Sequence, residues 1–220
     1  MDNLLPHLKD FSTVRRIKKG GNVLFQGEIP RNVMIIRDGV IRAYTITSSG
    51  EERIVSLFSK GDIIPLGWAI GNAPNALFYY DALVDTRVLT VPKPIFLDTV
   101  MRDPELLGSM VKFVANEYTA LLFRITGLGQ SRAIEKIGYT LYYLLYRYGT
   151  EKANGRFAIN IKMSQNVIAS LVGLTRESTT KNLKILKDKE IISYSNSTYT
   201  ISKPRLEKFL GEDAFHDLSL

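Results

Sequence analysis

Between about Lys18 and Pro92 the apolar residues fall in short runs separated by polar, glycine-containing stretches: Val33 to Arg37, Ile41 to Ile46, Arg53 to Phe58, Leu77 to Val84 and Arg87 to Val91. Runs of this length, rich in β-branched and aromatic residues, are strand signals. Gly39, Gly50 and Gly61 stand eleven residues apart, the strand-plus-turn spacing of an antiparallel sandwich or barrel. The pieces Arg37-Asp38-Gly39, Ser48-Ser49-Gly50 and Ser59-Lys60-Gly61-Asp62 supply residues that tolerate positive φ or hydrogen-bond locally to the backbone. The pattern predicts an antiparallel β-roll or jelly roll.

The periodicity then changes. Asp103-Pro104 offers a capping carboxylate and a proline for the first helical position, and no further proline occurs before Pro204. Leu107, Val111, Val114, Tyr118, Leu121, Ile125 and Leu128 are spaced alternately four and three apart. This a/d register predicts a long helix with a two-stranded seam between protomers, packing within one chain being the alternative. Leu106, Met110, Phe113 and Leu122 are available for a second contact. Gly127 and Gly129, with Gln130-Ser131 after them, read as a hinge. Ala133 to Tyr148 is a further helix with Ile134, Ile137, Leu141, Leu144 and Tyr148 on one apolar face. Tyr139, Tyr142, Tyr143 and Tyr146 are read as packing surface on that helix rather than as a base-stacking platform.

From Ser164 to Leu186 two short helices follow one another. Ser164 suits an N-cap, Ile168, Ala169 and Val172 form a buried face, Gly173 permits a tight turn and Thr175 is a second N-cap. The second helix is expected to bury Thr179, Leu183 and Leu186, leaving Arg176, Glu177, Thr180, Lys181 and Lys184 outside. Two helices joined by a glycine turn, the second with a basic outer face, describe a helix-turn-helix. In a major groove Arg176 can donate two hydrogen bonds to guanine O6 and N7, and Glu177 can accept from a cytosine amine. Lys181 reaches a guanine or a phosphate, while Lys184, Ser164 and Gln165 suit the phosphate backbone. Thr175, Ser178 and Thr180 complete the candidate DNA-binding set. Ile191 to Tyr194 and Tyr199 to Ile201 flank Ser195-Asn196-Ser197 as a small hairpin, a wing.

Composition narrows the chemistry. The 220 residues are 45% apolar and 23% charged, ordinary globular proportions. With no cysteine, disulfides, thiolate zinc sites, iron-sulfur clusters and cysteine nucleophiles are excluded. Only His7 and His216, at opposite ends, supply imidazole. No catalytic residue, metal ligand or cofactor is therefore expected. The net charge of +7 is unevenly spread: residues 1–130 hold 15 basic and 13 acidic residues, residues 131–220 hold 14 and 9. The excess belongs to the helix-turn-helix end and suits a polyanionic partner. No apolar run matches a signal-peptide core or the roughly 18 to 20 residues that span a bilayer, so a soluble, cytoplasmic protein is expected.

The residues themselves resemble the CRP/FNR family of bacterial transcription regulators. Val172-Gly173-Leu174-Thr175-Arg176-Glu177-Ser178 resembles the family's turn and recognition-helix start, with Leu183-Lys184-Ile185-Leu186 and Ile191-Ile192 after it. Arg37-Asp38-Gly39-Val40-Ile41 and Lys60-Gly61-Asp62-Ile63-Ile64 resemble its barrel turns. The resemblance implies an α+β protein with a cyclic-nucleotide-binding-like β-roll over residues 1–103, a dimerisation helix over 104–129 and a winged helix-turn-helix domain over 130–220. It implies a homodimer on double-stranded palindromic DNA, with RNA polymerase as a further partner. Lys181 stands where the cAMP receptor protein type has an arginine, losing the bidentate fork, and Thr179 and Asn182 stand where aliphatic residues are usual.

At the positions where cyclic-nucleotide binders of the family carry a glutamate, an arginine and a serine, this chain reads Leu66, Ala76 and Leu77, and the helix positions near a nucleotide base read Leu121 and Leu122. A buried phosphate needs a cation and donors, so cAMP is not expected to bind. An apolar effector pocket would be lined by Leu66, Gly67, Trp68, Ala76, Leu77, Phe78, Leu121 and Leu122. A filled barrel core, a protein partner or no ligand are the alternatives. The other functional class is a small-molecule-binding barrel or cupin-like enzyme without DNA binding, which would require a His and carboxylate cluster that Lys18 to Pro92 does not contain.

Overall fold

A computed structural model describes residues 3–211; His216 lies outside the described residues. The chain divides into two compact units between Ala115 and Asn116. The first unit opens with α1 (Leu5–Leu8) and a 3-10 turn (Lys9–Phe11), then β1 (Thr13–Ile17), β2 (Asn22–Leu24), β3 (Asn32–Asp38), β4 (Ile41–Ile46), β5 (Glu52–Phe58) and β6 (Ile63–Ile64). A one-turn helix α2 (Leu66–Ala69), β7 (Tyr79–Ala82), β8 (Thr86–Pro92) and α3 (Lys93–Arg102) follow, and α4 (Pro104–Leu128) runs through the division.

Two antiparallel four-stranded sheets, β1-β8-β3-β6 and β2-β7-β4-β5, make the expected β-roll. The run Val33-Met34-Ile35-Ile36 is continuous because β3 is covered on both faces. Met34 and Ile36 join Ile41, Ala43, Tyr80 and Val88 between the sheets. Val33 and Ile35 point the other way, into a second core with Leu4, Leu8, Trp68, Phe96, Val100, Leu106 and Met110. That second core uses Leu106 and Met110 of α4, with Phe113 packed against it, as the second helix face predicts, whereas Leu122, expected on the same face, is exposed. Gly39, Gly50 and Gly61 all take positive φ. At Gly39 a Cβ would also lie 2.6 Å from Thr86 Cα, so the turn needs glycine twice over.

Several elements exceed the sequence expectation. β1 buries only Ile17, and β6 has two residues, too few for any alternation to register. Just beyond the region expected to be sheet, α3 buries only Phe96 and Val100, too few to set a helical period. The strand expected over Leu77 to Val84 shrinks to β7. Ahead of it, Ala76 instead exchanges backbone hydrogen bonds with the 27–28 turn.

In the second unit α5 (Ala133–Tyr148) is the central helix. It is followed by β9 (Gly149–Ala153), β10 (Arg156–Ile159), α6 (Gln165–Val172), α7 (Arg176–Asp188), β11 (Ile192–Ser195), β12 (Thr198–Ser202) and α8 (Lys203–Leu210). Ten residues of α5 are buried, Tyr139, Tyr142 and Tyr143 among them, which makes these tyrosines core. Phe123 of α4 meets Tyr142 and Tyr146 edge to face. Gly127 does not break α4. Its Cβ would lie 2.8 Å from Tyr139 Cβ, so glycine here lets α4 and α5 approach closely. The strands form one sheet in the order β11-β12-β10-β9. The segment from Gly149 to Gly155 is thus a strand and the tight turn Asn154-Gly155, both at positive φ.

Candidate nucleic-acid interface

Between α6 and α7 the chain turns at Gly173, which adopts φ 71° and ψ 31° and donates its N–H to Ala169 O. Such a left-handed residue is the usual way to stop a helix sharply. Thr175 then caps α7, its hydroxyl accepting from Ser178 N at 3.2 Å. Ser164 occupies the N-cap position of α6, yet its side chain accepts no helical N–H.

Thr179, Leu183 and Leu186 are the buried residues of α7, as the spacing predicts. Thr179 Oγ1 donates to Thr175 O at 2.9 Å and Asn182 Nδ2 to Ser178 O at 2.8 Å. The two polar residues that replace usual aliphatics are thereby satisfied within their own helix. Thr175, Arg176, Glu177, Thr180, Lys181 and Lys184 are exposed and Ser178 is half-buried. Among the described residues no ion pair engages Arg176, Glu177, Lys181 or Lys184. Within residues 162–189 six basic residues oppose two acidic ones. Exposed, unpaired cations around an otherwise polar helix face are suited to a polyanion.

Gln165 joins this face because Thr180 Oγ1 donates to Gln165 Oε1 at 2.6 Å, linking the start of α6 to the middle of α7. The β11–β12 hairpin turns through Asn196 and Ser197, both at positive φ, the geometry of a two-residue hairpin. Met163 N donates to Ser197 O at 3.0 Å, so the tip of this wing is fixed beside the start of α6. Arg124, not singled out in the sequence, is buried and donates to Leu171 O at 3.2 Å, tying the end of α4 to α6. Burial pulls its pKa below the usual guanidinium value. A lone arginine in an apolar helix pattern gave no signal of this role. Lys187, three residues after Lys184, extends the cationic side of α7.

The first-unit residues expected to line an effector pocket fall in different parts of that unit. Trp68 and Leu66 belong to the core outside the β1-β8-β3-β6 sheet, where Lys93 Nζ donates to Trp68 O at 2.6 Å. Ala76 and Phe78 belong to the core between the sheets. Gly67 and Leu77 are exposed, as are Leu121 and Leu122 on α4. Within the first unit the expected residues therefore divide between two cores and the surface.

The seam residues of α4 tell a different story. Leu107, Val111, Val114, Tyr118, Leu121, Ile125 and Leu128 are all exposed, between 37% and 65%, in the single chain. Among the described residues an apolar stripe of this length on one helix has no cover.

Comparison with known proteins agrees with this layout. The family model for the cyclic nucleotide-binding domain matches residues 14–103, and that for the Crp-like helix-turn-helix domain matches residues 135–209. The chain belongs to the CRP/FNR family. Among its CRP/FNR relatives, the fumarate and nitrate reduction regulatory protein of Vibrio cholerae is 27% identical over 185 residues, 84% of this chain and 73% of that protein. Regulatory protein HlyX of Actinobacillus pleuropneumoniae is 26% identical over 203 residues, 92% and 81% of the two chains. The solved structure of FixK2 from Bradyrhizobium japonicum superposes with a TM-score of 0.72 at 21% identity, covering 90% of this chain and 96% of that one. As a CRP/FNR member the chain is a DNA-binding transcription regulator and not an enzyme. Among the described residues no helix is long and apolar enough to cross a membrane.

Proposed function

We propose that this regulator acts as a cytoplasmic homodimer, paired along the exposed α4 seam, and places α7 of each protomer in the major groove of a palindromic site. The observation that carries the reading is the outer face of α7, where Arg176, Glu177 and Lys181 stand exposed and unpaired on a helix capped by Thr175 and anchored by Thr179, Leu183 and Leu186. Arg176 reads guanine and Glu177 a cytosine amine, and Lys181 supplies a single cation to a guanine or phosphate. Ser164, Gln165, Ser178, Thr180 and Lys184 set register on the backbone. The uncapped first turn of α6 favours an anion there.

The barrel is not a cAMP receptor on this reading. Leu66, Ala76 and Leu77 bring no cation or hydroxyl, and Ala76 spends both backbone groups on the 27–28 turn. RNA polymerase is the partner through which a bound dimer would act on transcription.

Fluorescence anisotropy on palindromic duplexes tests the division of labour on α7. Arg176→Ala is expected to cost about 1 to 3 kcal/mol and to relax selectivity at one base pair. Lys184→Ala should weaken all sequences alike and reduce the salt slope by about one. Identical behaviour of the two variants would overturn the assignment of reading and positioning roles.

A further inference from the structure

A cavity of ≈ 340 Å³ lies between α7 and the β11–β12 hairpin, within the roughly 300 to 1,000 Å³ of small-molecule sites. Leu183, Ile192, Tyr194 and Tyr199 give it a mainly apolar wall. Tyr194 and Tyr199 are cross-strand partners with ring centroids 4.5 Å apart; Tyr194 is the exposed ring, suited to the face or edge of an aromatic ligand, and Tyr199 is the buried one. Lys184 and Lys187 border the cavity together with Asp188, leaving one net positive charge beside it. That balance favours a monoanion over a neutral molecule or a dianion.

Tyr199 supplies a further clue. Its hydroxyl is buried with no hydrogen-bond partner among the described residues, an arrangement that costs free energy until an acceptor arrives. Burial also holds this phenol well above its ordinary pKa, so it remains a proton donor throughout the neutral range.

We propose that this cavity is an effector site for a small aromatic carboxylate, and that its occupant competes with DNA. The ring packs on the exposed Tyr194, whose displacement opens the way to the buried Tyr199, and the carboxylate is held by Lys184, Lys187 and the Tyr199 hydroxyl. Competition follows from overlap: Gln165, Thr180 and Lys184 line the cavity and also belong to the proposed DNA face, so this part rests on the reading of α7 given above. A regulator of this design would receive its signal in the DNA-binding unit itself, beside the recognition helix.

The test titrates the full chain and Tyr199→Phe with 1-naphthoate, followed by the probe's own fluorescence. Phenylalanine keeps the ring and removes only the unpartnered hydroxyl, so the variant retains its packing. Saturable binding to the wild-type chain is expected, weakened about tenfold in Tyr199→Phe by loss of a hydrogen bond to a charged group. The neutral 1-naphthylmethanol should bind at least about tenfold more weakly than 1-naphthoate, for want of charge. Saturating 1-naphthoate should displace duplex DNA. Absence of saturation at millimolar probe, equal affinity of the two proteins, or unchanged DNA affinity with the site filled would overturn the proposal. A chain that takes up 1-naphthoate with the expected Tyr199 dependence but never binds DNA supports the site and overturns the DNA reading.

Discussion

Gly127 lies inside α4, where glycine weakens a helix by roughly 0.5 to 1 kcal/mol relative to alanine, yet here alanine would place its Cβ 2.8 Å from Tyr139 Cβ. Overpacking at a well-fitted contact costs about 1 to 3 kcal/mol. Gly127→Ala should therefore lower the thermal midpoint of the second unit. Gly129→Ala, with its nearest neighbour at 3.5 Å, should leave it almost unchanged. A stabilised Gly127→Ala would show the contact to be looser than described. In sequence the pair looked like a hinge because a glycine needed for close approach and one needed for flexibility are written identically. Thr179 was legible in position but not in its chemistry: spacing predicts its burial, whereas the bond from its hydroxyl to Thr175 O explains why that burial is tolerated.

Asp85 carries a pH dependence at the same scale. The Lys18 ammonium, 2.8 Å away, and the Lys19 N–H hold its carboxyl below the ordinary aspartate range. A folded-state pKa below the unfolded one means the contribution is present above the ordinary value and is lost as pH falls through the depressed one. Asp85→Asn should therefore lower the urea midpoint slightly at neutral pH and make no difference once the medium is more acidic than the depressed value. An unchanged midpoint at neutral pH would show the pair to be without effect, as many exposed pairs are.

Among the elements, α4 was the most legible. Its cap, start and apolar register follow from Asp103-Pro104 and the four-three spacing, and Asp103 Oδ1 indeed accepts from Glu105 N at 2.8 Å. Among the strands, β3 and β4 were legible because apolar residues fill at least one of their faces. β1, an edge strand with one buried residue, and the two-residue β6 have no sequence period to detect. The β9–β10 hairpin escaped because Gly149 to Ala153 is almost wholly exposed and has no apolar alternation. Since the α4 seam is exposed in the single chain, a charge placed there should separate protomers without unfolding them. Ile125→Glu is expected to shift sedimentation from dimer to monomer, with thermal stability of the monomer changed by no more than about 0.5 kcal/mol. A variant that remains dimeric would locate the interface elsewhere.

At the scale of the whole molecule, charge and chemistry are unevenly shared. The first 130 residues are close to electrically balanced, and the +7 charge comes mainly from the part that carries the helix-turn-helix. The family and its DNA-binding role were readable because the turn, the cap and the basic face occupy contiguous sequence. The effector question was less readable because a pocket is assembled from separated segments: the expected barrel set disperses, while a cavity appears beside α7 from residues of α6, α7, β11 and β12. The central claim, that α7 reads base sequence, is tested most directly by selecting a palindrome from random duplexes. Its affinity is then compared with that of a scrambled duplex at one fixed salt concentration. Specific readout predicts a preference of at least about a thousandfold, and equal affinity for the two duplexes would contradict it.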